Sequence, residues 1–202
     1  RTPQRRSGSP GAEWVIGRNP VYEALQAGLP VRRAYLAEGV ERDSRLSDIL
    51  KLAAERGVPL LQASRPELDR LTSGAVHQGV ALQLPEYEYA HPNDLLDAAV
   101  DADAPLVVAL DGVTDPRNLG AIIRSAAAFG ALGVIVPERR SAHMTATAWK
   151  ASAGAAARVP VALAGNLNRV LKDYAEAGFQ VVGLAGEGAT ATARAPGPAG
   201  PV

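Results

Sequence analysis

Two short apolar runs, residues 106–110 and 133–136, frame the most constraining stretch of this sequence. Between them lie a polar, turn-forming loop and a segment with Leu119, Ile122, Ile123 and Ala126 at helical spacing. Runs this short and this β-branched read as buried strands. A helix between two strands makes a βαβ crossover, and that connection implies parallel pairing. The fold class is therefore α/β. The loop that begins at Asp111 falls at the carboxyl end of the first strand, the edge where open α/β sheets place ligands and chemistry.

Two residues of this stretch carry chemical potential. Arg124 lies off the apolar stripe, permanently charged, with a fixed fork of donors. It suits a phosphate, a carboxylate or a hydroxyl that must lose its proton. Asn118 stands at the loop–helix junction, where Asn commonly caps a first turn. A plain cap and a solvated helix charge account for the same two residues, so the pattern alone leaves both readings open.

The rest of the chain alternates in the same style. A strand at 14–16 precedes a helix that Asn19-Pro20 should start, with Gly28 as its stop. Strands are expected at 31–36, 58–61 and 76–84, with an amphipathic helix at 44–56 and a short helix opened by Pro66. This gives a first α/β domain over 13–84, preceded by a basic, mobile arm over 1–12 that carries Arg1, Arg5 and Arg6. Prolines bracket a linker at 85–92. Asn93 should cap the first helix of a second domain, 93–202, which contains the central βαβ unit. Further elements are a small-residue helix at 145–154 with Trp149, a strand within 158–163, a helix capped by Asn166 and a strand at 179–184.

Charge and cysteine content narrow the function classes. The 202 residues carry a formal net charge of zero, which argues against a polyanion binder held by bulk charge but allows a local basic face. The absence of cysteine removes disulfides, thiolate metal sites and a cysteine nucleophile. No apolar run reaches a membrane-spanning length, so no membrane partner and a cytoplasmic setting are expected. Arg139 and Arg140 follow the strand at 133–136 and share the rim of the Asn118 loop; with Arg18, Arg32 and Arg33 in the first domain, they are the candidates for contact with phosphate. His77 reads most simply as a histidine hydrogen-bonded at a strand start, and Gly79 as a bulge or close approach.

The stretch 111–130, DGVTDPRNLGAIIRSAAAFG, resembles the first signature motif of the SpoU (TrmH-type) RNA 2′-O-ribose methyltransferases of the SPOUT class. The segments 16–25, 77–81 and 150–155 resemble other blocks of that family, in its order. The resemblance implies a small N-terminal α/β substrate-binding domain, related to ribosomal and kink-turn RNA-binding proteins. It also implies a Rossmann-like parallel-sheet SPOUT domain, S-adenosyl-L-methionine as cofactor, ribosomal or transfer RNA as partner, and a homodimer. It assigns Arg124 to the reaction, favouring the alkoxide of a ribose 2′-hydroxyl, with Asn118 in support. The family's Gly-Ser-Glu-Gly-like loop and Asn-Val-Ser-like segment, which form most of its cofactor site and knot, have no counterpart here; Gly186-Glu187-Gly188 is only an echo. The chain therefore reads as C-terminally incomplete and inactive by itself, with cofactor-binding residues expected beyond Val202. The competing reading is a non-catalytic RNA-binding protein with a degenerate second domain. A dinucleotide enzyme is disfavoured because the loop at 114–118 lacks a Gly-rich phosphate fingerprint.

Overall fold

The computed structural model describes residues 13–184. The basic arm at 1–12 and the segment 185–202 lie outside the described residues.

The first unit is a four-stranded sheet of β1 (Trp14–Ile16), β2 (Arg33–Ala37), β3 (Leu60–Ala63) and β4 (Val80–Gln83), in the order β1-β4-β2-β3. β4 runs antiparallel to both neighbours, while β2 and β3 are parallel, so β1, β2 and β3 all point the same way. Helices α1 (Arg18–Gln26), α2 (Ser44–Glu55) and α3 (Arg65–Leu71) connect them. Leu25, Leu46, Ile49 and Leu82 form the core between α1, α2 and the sheet. Gly17, at φ 94°, caps α1, so Asn19 falls inside the first turn instead of capping it. The strand expected at 76–84 begins only at Val80. Residues 76–79 form a loop in which Gln78 and Gly79 both take positive φ. At Gly79 a Cβ would lie 2.4 Å from Cγ2 of Val40, so only glycine fits there.

The second unit is a fully parallel sheet of β5 (Val107–Ala109), β6 (Gly133–Pro137) and β7 (Val161–Ala164), in that order. Central β6 is buried from Gly133 to Val136, as its unbroken apolar run requires. Helices α4 (Pro92–Val100), α5 (Pro116–Ala128), α6 (Ala146–Ala151) and α7 (Leu167–Glu176) flank it, with a short 3-10 turn at Ala155–Ala157. Three caps differ from expectation or confirm it. His91, not Asn93, caps α4 through Nδ1 (3.2 Å from the Asn93 N–H). Asp115, not Asn118, caps α5. Asn166 caps α7 as expected.

Residues 179–184 form no strand. Val181, Val182 and Leu184 are exposed, and the run finds no neighbouring strand among the described residues. The segment 85–92 is not a free tether either. The Tyr87 hydroxyl accepts from the Val161 N–H (3.1 Å), the Tyr89 hydroxyl from the Met144 N–H (2.8 Å), and Ala90 bridges to Ala162. No described helix is long and apolar enough to cross a membrane.

Candidate functional site

Each sheet gathers its parallel carboxyl ends at one rim, and each rim carries a crevice. In the first unit, the residues after β1, β2 and β3 and the loop before β4 enclose about 650 Å³. Arg18 lines it, but its donors are used within the protein. Its guanidinium pairs with Asp43, Nε donates to the Gln78 carbonyl (3.2 Å), and Nη2 donates to the Glu41 carbonyl (3.0 Å). Asp43 caps α2 as well. The hydrogen bond from the Leu46 N–H and the Arg18 guanidinium hold its carboxyl below the usual range. Arg18 is thus a brace between two loops. Arg32 and Arg33 stand at the start of β2, on the opposite rim, so the structure does not bring the three arginines together. His77 is buried: its Nδ1 accepts from the Gly79 N–H (2.9 Å) and its Nε2 reaches Asp69 (3.1 Å). Those partners assign the proton to Nε2 and make His77 a structural pin of the loop. The residues that sequence reasoning passed over here are Arg65, exposed in the same crevice, and Val76, which is 84 % exposed beside it.

In the second unit, the loops after β5, β6 and β7 enclose a crevice of about 320 Å³. Arg139 and Arg140 line it, as their place after β6 implied. Asp111, from the loop already placed at this edge, joins them, as do Asn166 and Asn168, to which sequence reasoning had given no part in the site. Their common signal was position: Asp111 and Asn166 lie just past the carboxyl ends of β5 and β7, and Asn168 lies in the first turn of α7.

Arg124 and Asn118 line neither crevice. Both sit on α5, exposed. Arg124 is in its third turn, about 12 Å along the axis from Pro116 at 1.5 Å per residue. It makes no ion pair and no side-chain hydrogen bond among the described residues, which leaves its whole fork of donors available. The six-residue spacing sets Asn118 about 120° from it around the helix. Arg117, two turns earlier, shares Arg124's face instead and is likewise exposed. Below them α5 is fixed tightly: Leu119 and Ile123 are buried, and Gly120 meets α6 so closely that a Cβ there would lie 2.3 Å from the Ala148 carbonyl oxygen.

Helix α6 also carries the contact between the two units. Trp149 packs against both cores, Lys150 pairs with Glu23 of α1, and the Ala146 N–H donates to Glu13 Oε1 (3.3 Å). The Lys150 ammonium, first through its hydrogen bond and then through its charge, holds the Glu23 carboxyl below the usual range. Among the described residues there is no group of His, Cys, Asp and Glu that could hold a metal ion.

An α/β protein of two units, with exposed arginines at a parallel-sheet rim and on the adjoining helix, is the class these features define. Two family models match it: "RNA 2'-O ribose methyltransferase substrate binding" over residues 14–90 and "SpoU rRNA Methylase family" over residues 105–198. The chain belongs to the SpoU family. A relative from Mycobacterium ulcerans, described as an uncharacterized tRNA/rRNA methyltransferase, is 58% identical over 179 residues, covering 89% of this chain and 58% of the relative. One of the same description from Mycolicibacterium gilvum is 58% identical over 179 residues, covering 88% of this chain and 57% of its own length. This chain thus spans just under three-fifths of the length of these relatives. Among solved structures, the SpoU methyltransferase AviRb from Streptomyces viridochromogenes, in complex with AdoMet, is 26% identical with a TM-score of 0.47, covering 83% of this chain and 60% of that one.

Proposed function

We propose that this protein takes part in methyl transfer from S-adenosyl-L-methionine to a ribose 2′-hydroxyl of ribosomal or transfer RNA, with residues 13–84 holding RNA and the unit from residue 93 onward performing the chemistry. The observation that carries the reading is the exposed guanidinium of Arg124, without an ion-pair partner among the described residues, on a helix whose neighbouring face is locked into the core. A ribose hydroxyl is a weak nucleophile at neutral pH. A fixed cation against it favours the alkoxide and stabilises charge as it develops on the oxygen. Arg117, on the same face, adds to that positive field. Asn118 supports the site from the adjoining face, where its amide can orient RNA; its bearing on the helix sets it away from direct contact with Arg124.

The described residues do not themselves fit the methyl donor. The rim crevice near α5 is lined by Arg139, Arg140 and Asp111, and among the described residues its lining offers no aromatic or broad apolar wall for an adenine. What they offer is a grip on RNA, through Arg139 and Arg140 at the rim and through the first unit, and the cation for the hydroxyl. Two copies acting together, as the resemblance implies, belong to the same reading, and sedimentation in solution checks that part.

The test is methyl incorporation into RNA by the natural protein, followed by alkaline hydrolysis. A 2′-O-methylated linkage resists alkali because its 2′-oxygen can no longer attack the phosphate. Arg124→Ala should lower the rate roughly 10²–10³-fold, the range for loss of one donor at a developing oxyanion, with RNA affinity close to that of the unaltered protein. An alkali-labile product, or an undiminished rate in Arg124→Ala, overturns the reading. RNA retained with affinity intact but no methyl transferred by the unaltered protein favours the binding-only alternative.

A further inference from the structure

The crevice at the second rim contains more than a pair of basic residues. Its loops are pinned: the Ala142 N–H donates to the Val113 carbonyl (2.7 Å), the Glu138 N–H to the Ala164 carbonyl (2.9 Å), and the Ser141 hydroxyl to the Pro137 carbonyl. Arg140 is held at φ 58°, a backbone conformation that costs a non-glycine residue free energy and that the loop enforces. Asp111 faces the same crevice, yet neither Arg139 nor Arg140 closes on it, or on any carboxylate, within ion-pair distance among the described residues. Cations and a carboxylate therefore share a preformed space without neutralising one another.

We propose that this crevice is a subsite for one ribonucleotide of the bound RNA strand, with Arg139 and Arg140 taking its phosphate and the Asp111 carboxylate accepting a hydrogen bond from its 2′-hydroxyl. The inference rests on the RNA-methylation reading and adds a second point of grip, distinct from the helix face of Arg124. Each part of the chemistry has its reason. A guanidinium fork matches phosphate oxygens. A carboxylate repels a phosphate but accepts readily from a hydroxyl, so its presence disfavours a polyphosphate and suits a ligand with an anion at one end and a hydroxyl at the other. Asn168 adds an amide able to donate or accept toward the base or sugar. The volume of about 320 Å³ falls at the lower end of the range for small-ligand sites, enough for one nucleotide unit. A hydrogen bond to the 2′-hydroxyl is also what separates RNA from DNA.

Fluorescence anisotropy on the full chain tests this, with a labelled single-stranded RNA of about 12 nucleotides and the DNA of the same sequence. The unaltered protein should prefer RNA. Arg139→Ala/Arg140→Ala should weaken both ligands and reduce the dependence of log K on log salt by roughly 0.7 for each phosphate that is no longer neutralised. Asp111→Ala should abolish the RNA preference while leaving DNA affinity unchanged or raised, since a negative charge is removed. A free ribonucleoside 5′-monophosphate should compete only weakly; tight competition would make the site one for a free nucleotide and overturn the proposal. It is also overturned if the double arginine variant, shown folded by circular dichroism, keeps its affinity and salt slope, or if Asp111→Ala weakens RNA and DNA equally. These outcomes separate from failure of the catalytic reading. Absence of methyl transfer with the salt and sugar effects intact leaves the subsite standing, methyl transfer with those effects absent removes the subsite alone, and absence of any RNA binding removes both.

Discussion

Gly120 shows how a single residue sets the geometry beneath a candidate active helix. Its missing side chain lets α5 lie against α6, with the Ala148 carbonyl oxygen, the Ala151 methyl and the Ser152 N–H all inside the space a Cβ would take. Backbone atoms of α6 cannot yield as a flexible side chain would. Gly120→Ala should therefore destabilise the protein by about 1–3 kcal/mol, the usual range for overpacking, despite the higher helix propensity of alanine. Urea denaturation measures this, and an unchanged midpoint would sink the claim of close packing. Its role was not legible in the sequence, where Gly120 reads only as a small residue within a helix. The atoms it makes room for belong to a different helix, beyond an intervening strand. Asn118 is the reverse case. Local preference suggested a cap, but Asp115 already fills that place three residues earlier, so the side chain of Asn118 is left available for other work.

Elements were legible where the apolar pattern was strong and the termini carried their own chemistry. α2 is capped by Asp43 and stops before Gly57, and α7 is capped by Asn166 and stops before Gly178, because caps and positive-φ glycines are local signals. Residues 179–184 have the composition of a strand but no hydrogen-bonding neighbour among the described residues, and a strand is defined by its neighbour. The packing of α7 onto α4 was equally hidden, since it depends on the Tyr174 hydroxyl donating to the Pro92 carbonyl (3.2 Å) across 82 residues of sequence. Burial, with the Asp97 carboxylate as a lesser cause, pushes that phenol up to about 12 from 10.0. The fold thus favours the neutral form. Its contribution to stability is complete below pH 10, where the unfolded phenol is still protonated, and is lost as the pH rises from 10 toward 12. Stability measured over that interval should fall more steeply for the unaltered protein than for Tyr174→Phe. The variant should itself be about 1 kcal/mol less stable at neutral pH, because the Pro92 carbonyl loses its partner. Parallel pH profiles for the two proteins would contradict the assignment.

At the scale of the whole molecule, two sheets with separate cores raise the question of whether they melt together. Three kinds of contact join them. The Lys150–Glu23 pair is exposed on both sides, and exposed pairs contribute little. The Glu13 carboxylate accepts from the Ala146 N–H at the start of α6. Trp149 differs in kind: its ring packs on both cores and stands edge-on to Tyr87, with centroids 5.6 Å apart, while Tyr87 in turn meets Tyr89 edge-on and holds β7. Large aromatic surface shared between two cores couples them because neither can open without exposing it. Calorimetry of the unaltered chain should accordingly give one transition. Trp149→Ala should split it into two and lower the stability of the less stable unit by about 2 kcal/mol, short of the 3–5 kcal/mol of a fully buried ring because Trp149 is only partly covered. Glu23→Gln should leave the single transition in place. Two transitions in the unaltered chain, or one in Trp149→Ala, would mean that the Pro85-to-Pro92 segment rather than α6 sets how the two units are joined.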